Sequence, residues 1–212
     1  MQKKPSEWVS ISDLMSGVMA VVMLLLVISV LQNTYAEMKH KQEMQGGKKK
    51  QEMVKTLNEI KTEIDQQGGS DLIDFNIDQG KITLKDSVFA KGSACITPKA
   101  AQAFMNIQPK VAAFLNTSQQ SGIFVEGHTD NSPVSKPVTD YQKFCTVYDD
   151  NYTLSAARAR EARKLLTGKL DVTTAKRVIV AGYGDSQPIT GVSPSDASNR
   201  RVVVRFALTS ES

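Results

Sequence analysis

Residues 14–31 read LMSGVMAVVMLLLVISVL and carry no charge. Extended back to Trp8, the run is roughly 23 residues, long enough as a helix to cross about 30 Å of hydrocarbon. A cleaved leader would have a shorter apolar core and then a small-residue cleavage site. Here the run gives way to LQNTYAEMKHKQ, so the expectation is an uncleaved single span. The chain then divides into an N-terminal stretch (1–7), a transmembrane helix (8–32), a polar helical connector (33–70), a mixed domain (71–209) and a short tail (210–212).

Asp13 falls inside this span if the helix begins at Trp8. A carboxylate in hydrocarbon costs several kcal/mol unless it takes up a proton, and intramembrane acids commonly mark ion pathways. The other reading places Asp13 at the membrane interface as a helix N-terminal residue, with Ser10 and Ser12 as neighbouring caps. The residues alone leave both open. Orientation is also open, because Lys3 and Lys4 precede the span while Lys39, Lys41, Lys48, Lys49 and Lys50 come after it. By the positive-inside rule that count would put the C-terminal side in the cytoplasm.

In the connector, KKKQEMVKTLNEIKTEI places Met53, Leu57, Ile60 and Ile64 four, three and four residues apart, a helical stripe. One reading is a helix continuing from the membrane with a break at the glycine pairs 46–47 and 68–69. The other is a parallel helix pair or a plug lying on the membrane surface. The stripe holds too few heptads to specify a coiled coil.

Beyond residue 70 the pattern is mixed. A hairpin is expected from residues 71–76, a turn at Gln79-Gly80, and KITLKDSVF. Thr97-Pro98 opens a helix as N-cap and first-turn proline, with Ala101, Phe104, Met105, Ile107, Val111 and Phe114 at broadly helical spacing. Pro109 is expected to interrupt it. The strand GIFVEGHTD and a loop to about Tyr152 come after it. The helix TLSAARAREARKLLTG is next, with Thr153 and Ser155 as candidate caps, and the strands RVIVAGYG and NRRVVVRFAL close the domain. Short strands alternating with two helices predict an α+β domain with its helices on one face of the sheet.

The net charge of +4 is modest, and no arginine stripe interleaves with aromatics. Nucleic acid is therefore not an expected partner. The two cysteines, Cys95 and Cys145, both lie in this domain. If the domain lies outside the cytoplasm they suggest one disulfide, worth about 4 kcal/mol in the chain-entropy model; a pair of buried free thiols is the alternative. No catalytic group is read from the sequence. His128 reads as a structural residue at a strand end, and neither cysteine has metal-ligand spacing. No nucleophile elbow surrounds Ser155, and GYGD has no phosphate-loop continuation. No cofactor or metal is expected.

Two resemblances sharpen this reading. EWVSISDLMSGVMAVVMLLLVISV resembles the span of MotB-type stator subunits, and VEGHTDNSPV, NYTLSAARAREARKLL and VAGYGDSQPI with SNRRVVVRF resemble the OmpA/MotB peptidoglycan-binding domain. The implied fold is a βαβαβ unit with helices packed on a mixed sheet. The implied ligand is the peptide stem of peptidoglycan, whose diaminopimelate offers an amine and a carboxylate. By motif position Asp130 meets the amine, Arg158 the carboxylate, and Asn151 hydrogen-bonds the stem, with Asn199 and Arg200 lining the same pocket. For Arg158 the alternative is an ordinary surface ion pair with Glu161 or Asp130.

The resemblance implies that Asp13 carries the translocated proton or sodium ion, with the C-terminal domain in the periplasm of a bacterium and the N-terminus in the cytoplasm. It also implies a homodimer inside a pentamer of a MotA-like multispanning protein. The compact chain and its span look closer to the ZorB-type subunits of Zorya anti-phage systems, which pair with ZorA, than to flagellar MotB. A passive tether between membrane and wall is the third reading. The loop from 131 to 151 is longer than in outer-membrane anchors of the family, and a Cys95–Cys145 bridge would hold it beside the ligand site.

Overall fold

The computed structural model describes residues 7–208, with the side chains of residues 7–11, Asp13, Gln42 and Gln45 outside that description. The expected N-terminal stretch and tail therefore lie almost wholly outside the described residues. The chain forms two compact units, residues 1–48 and residues 49–212.

Helix α1 spans Glu7–Gln66. In the first unit, residues 14–31 are exposed on every side of the helix. The helix is long and apolar enough to cross a membrane, its most apolar stretch having a mean hydropathy of 2.8. A helix apolar all round, with nothing packed on it, matches a lipid-facing element.

The second unit begins earlier than the expected boundary at Asp71. Met53, Leu57, Ile60 and Ile64 are buried in the core of the domain, the last three completely. This corrects the reading of the stripe as a free connector, helix pair or membrane-surface plug: its apolar face is spent within its own chain. Residues 49–66 run antiparallel beside α2 (Pro98–Thr117), with Lys49 donating to Gln120 at 2.5 Å near one end and Glu59 lying 3.9 Å from Lys110 along the way. The expected break at Gly46-Gly47 does not occur. The second glycine pair ends the helix instead, where Gly68 takes φ +66° and Gly69 donates to the Ile64 carbonyl at 3.0 Å, a left-handed termination that glycine adopts without strain.

Five strands form one mixed sheet in the order β1-β2-β5-β3-β4, where β1 is Ile73–Asn76, β2 Lys81–Lys85, β3 Ser121–His128, β4 Val178–Gly182 and β5 Arg201–Leu208. Only β3 and β4 pair in parallel. Ile82, Leu84, Ile123, Val125, Val202, Val204 and Phe206 point inward. The other face carries Arg205, which pairs with Glu126 at 2.7 Å and lies over the Phe124 ring. One apolar and one charged face is what an antiparallel-rich sheet with helices on one side requires. The α+β class and the order of strands and helices agree with the sequence reading.

Helix α2 continues through Pro109, contrary to expectation. Proline removes the bond to the carbonyl four residues back. That residue, Met105, is 51% exposed, so water can satisfy its carbonyl while Ile107, Gln108 and Val111 stay anchored in the core. Helix α3 is the single turn Tyr141–Phe144, and helix α4 (Asn151–Thr167) starts two residues before its expected caps, with Asp150 capping it by accepting from the Thr153 N–H at 2.6 Å. It sits unusually close to the sheet, because a Cβ at Gly127 would lie 2.0 Å from the Ser155 carbonyl oxygen and one at Gly182 2.6 Å from Ala156 Cβ. Those two glycines let α4 descend onto β3 and β4.

Candidate functional site

Asp130 comes two residues after the end of β3. Its carboxylate accepts from the Ser132 N–H at 3.0 Å and from Arg200 Nη1 at 2.5 Å. Burial pushes the Asp130 carboxyl up, but the bonds from Arg200 and Ser132 prevail and hold it below the ordinary aspartate value. Arg200 precedes β5 and turns its Nε to Asp86 Oδ2 at 2.9 Å. The two carboxylates raise its own pKa.

Asp86 opens the one-turn 3-10 helix after β2 (Asp86–Val88). Its other oxygen lies 3.2 Å from Arg158 Nη1, an ion-pair contact without hydrogen-bond alignment, so donor and acceptor both remain without a hydrogen bond in a buried setting. Arg158, on α4, is 2% exposed; its Nε donates to the Ser93 carbonyl at 3.0 Å and its guanidinium lies 5.3 Å from the Phe89 ring centroid. Burial lowers its pKa against the pull of Asp86.

The four side chains thus form a chain of alternating charge, Arg158–Asp86–Arg200–Asp130, with no net charge. Pairing of this kind is what allows charges at low exposure, since an uncompensated one would cost several kcal/mol. The exposed part of the chain is its middle, where Asp86 and Arg200 side chains are each 34% exposed. A zwitterionic group entering there can exchange partners with both ends. Its cation would replace Arg200 at Asp130, and its anion would take the guanidinium donors that the exchange frees.

Of the residues named from sequence, Asp130, Arg158 and Arg200 come together. Asn151 borders them, its amide donating to the carbonyls of Asp130 (3.3 Å) and Ser132 (3.0 Å), so it pins the loop that carries the carboxylate. Asn199 departs from expectation as a pocket-lining group. It is wholly buried, donates to the carbonyls of Ser193 and Pro194, and accepts from the Ile189 N–H at 2.8 Å, which makes it the staple of the loop leading to β5. Arg158 pairs with neither Glu161 nor Asp130, the partners weighed for an ordinary ion pair. Its partner Asp86 was missed, and only its place after a strand, in KDSVF, hinted at it. Asp13 lies within α1, but its side chain is outside the described residues.

Cys95 and Cys145 form a disulfide across a separation of 50 residues. His128 is buried, stacked on Tyr183 at 5.3 Å, and held by burial and by Arg201 at a pKa of about 4, hence neutral. A separate groove of about 780 Å³, lined by Tyr141, Val147, Tyr152, Ala156, Arg160 and Val180 among others, touches none of the charged chain.

The mixed sheet thus carries helices on one face and the paired-charge site just past the end of β3. Residues 88–201, more than half of the chain, match the model of the OmpA family, and the chain belongs to that family. Its fold is similar to that of a MotB-like protein from Desulfovibrio vulgaris (21% identity, TM-score 0.54, covering 76% of this chain and 99% of that one). Similar structures also include the periplasmic domain of Helicobacter pylori MotB (20% identity, TM-score 0.47, 65% and 88% covered). A third is the cell wall anchor of the T6SS from Pseudomonas aeruginosa (22% identity, TM-score 0.48, 70% and 96% covered). No curated protein matches the chain.

Proposed function

We propose that this chain is the wall-anchored stator subunit of an ion-driven motor in a bacterial inner membrane. Its second unit grips peptidoglycan in the periplasm through Asp130 and Arg158, with Arg200 exchanging partners as the stem peptide enters and Asn151 fixing the loop. Its apolar helix crosses the membrane once, N-terminus in the cytoplasm. Two copies sit within a pentamer of a MotA-like, ZorA-type partner. A proton, or a sodium ion, passing Asp13 alternately neutralises and recharges it, and a membrane potential supplies about 2.3 kcal/mol per charge per 100 mV. The biological role we assign is anti-phage defence of the ZorB kind.

The observation that carries this reading is the union, in one chain, of an OmpA-family domain bearing an Asp–Arg site and an exposed, charge-free helical run that begins directly after Asp13. Intramembrane acids commonly mark ion pathways, which supports that role for a carboxylate at the head of such a run. Asp13→Asn tests it: phage protection and ion flux in cells carrying the partner should be lost, while membrane insertion and murein binding persist. Full activity of Asp13→Asn would leave only a passive tether.

A further inference from the structure

We propose that the Cys95–Cys145 disulfide positions Arg158 for ligand, acting through the Ser93 carbonyl. This inference rests on the reading of the charged chain as the murein site.

The side chain of Arg158 has one well-formed hydrogen bond, from Nε to the Ser93 carbonyl at 3.0 Å. That bond sets the plane of the guanidinium and so decides where Nη1, unpaired in alignment, points. The orienting carbonyl belongs to a tight turn, where Ser93 N–H donates to the Ala90 carbonyl and Ala90 N–H to the Cys95 carbonyl. A turn of this size has no core of its own to hold it. Its stem is closed by the Phe89–Ile96 bridge, and its tip is held by the loop before α4. Ala94 N–H and Ser93 Oγ both donate to the Phe144 carbonyl, at 3.0 and 2.9 Å, and Tyr148 Oη donates to the Gly92 carbonyl at 2.6 Å. The disulfide joins the same two segments covalently.

The loop is itself pre-shaped. Val138 and Tyr148 exchange backbone hydrogen bonds of 2.7 and 2.9 Å that close its neck, and Arg160 Nη2 donates to the Cys145 carbonyl at 2.9 Å, tying it to α4. Cys145 sits at φ +56°, the only non-glycine residue at positive φ among those described. An L-residue there is disfavoured and persists only when its surroundings impose it. Here it is the left-handed cap of the turn Tyr141–Phe144, closed by the Cys145 N–H to the Tyr141 carbonyl at 2.8 Å, and the bridge adds a covalent tie to the shape that presents the Phe144 carbonyl to Ser93. The line of action runs from disulfide to loop, from loop to turn, and from turn to Arg158. Cys95, Cys145 and Ser93 are positioning residues that need not touch ligand.

The test is a double-mutant cycle read as the Kd of the full chain, in detergent micelles, for purified murein sacculi. Replacing Cys95→Ser with Cys145→Ser in the native background should weaken binding about tenfold, the scale of one charge-assisted hydrogen bond. In an Arg158→Lys background, which lacks Nε in a planar fork, the same replacement should change Kd less than about twofold. Ser93→Ala, which keeps the bridge but removes the Oγ tie, should show the same dependence at about threefold, and carries the test alone if the double serine variant does not fold. An equal loss in both backgrounds, or no loss in either, overturns the inference. Failure of the native chain to bind sacculi at all instead removes the murein reading on which it stands.

Discussion

Residues 14–31 and residues 53–64 of α1 are both apolar helix, yet the first stretch exposes its side chains and the second hides them. Leu24 and Leu25 are 62% and 59% exposed, whereas Leu57, Ile60 and Ile64 are at zero. The difference is in spacing. Apolar residues occupy every face of the first stretch, so packing against one neighbour could not cover them, a pattern that suits a membrane span. In the second they recur every three to four residues with Lys, Glu and Asn between, so one face satisfies the core and the other meets water. Periodicity, more than mean hydropathy, decides whether a helix belongs to a membrane or to a domain.

The largest expected effect tests where the domain begins. A chain starting at Lys49 should fold into a water-soluble unit with one cooperative thermal transition. A chain starting at Asp71 loses four buried side chains worth about 1.5–3 kcal/mol each, comparable in sum with the whole stability of a domain. It should bind a hydrophobic dye and lack the transition. Equal stability of the two would return residues 49–66 to the status of a free connector. Next in size, Ile60→Ala should cost about 2–5 kcal/mol in denaturant unfolding of the full chain in micelles. Leu24→Ala should leave that transition unchanged.

A comparable effect within the second unit is read by pH. His128 is neutral when folded down to about pH 4, while the unfolded chain protonates it near 6.5. The unfolded state thus binds more protons, and stability should fall by roughly 3 kcal/mol as pH drops from about 6.5 to about 4. His128→Asn should flatten that segment. Asp130, whose folded value is depressed, adds stability that is lost only as the pH falls further, through that value.

The local features were legible from residues: the apolar run, the hairpin around Gln79-Gly80, the Thr97-Pro98 helix start, the three later strands, and the cysteine pair. Motif resemblance brought Asp130, Arg158 and Arg200 to the site. What escaped depended on distant partners. Asp86 meets arginines 72 and 114 residues away, separations that no local pattern reports. Pro109 reads as a helix breaker until the exposure of Met105 is known. The stripe at 53–64 carried its burial plainly, but its partner is the domain that comes after it, not a second copy. Asn199 shares a motif with Arg200 yet points its amide into its own loop.

The proposed hold of the Asp130–Arg158 site on peptidoglycan is read out by equilibrium binding of Asp130→Asn to purified murein sacculi. Removing the charge leaves an oxygen for the Ser132 N–H but no counter-charge for a ligand amine. Kd should therefore rise at least about tenfold, while Asp78→Asn, in the exposed β1–β2 turn, binds like the native chain. Undiminished binding by Asp130→Asn would contradict the account.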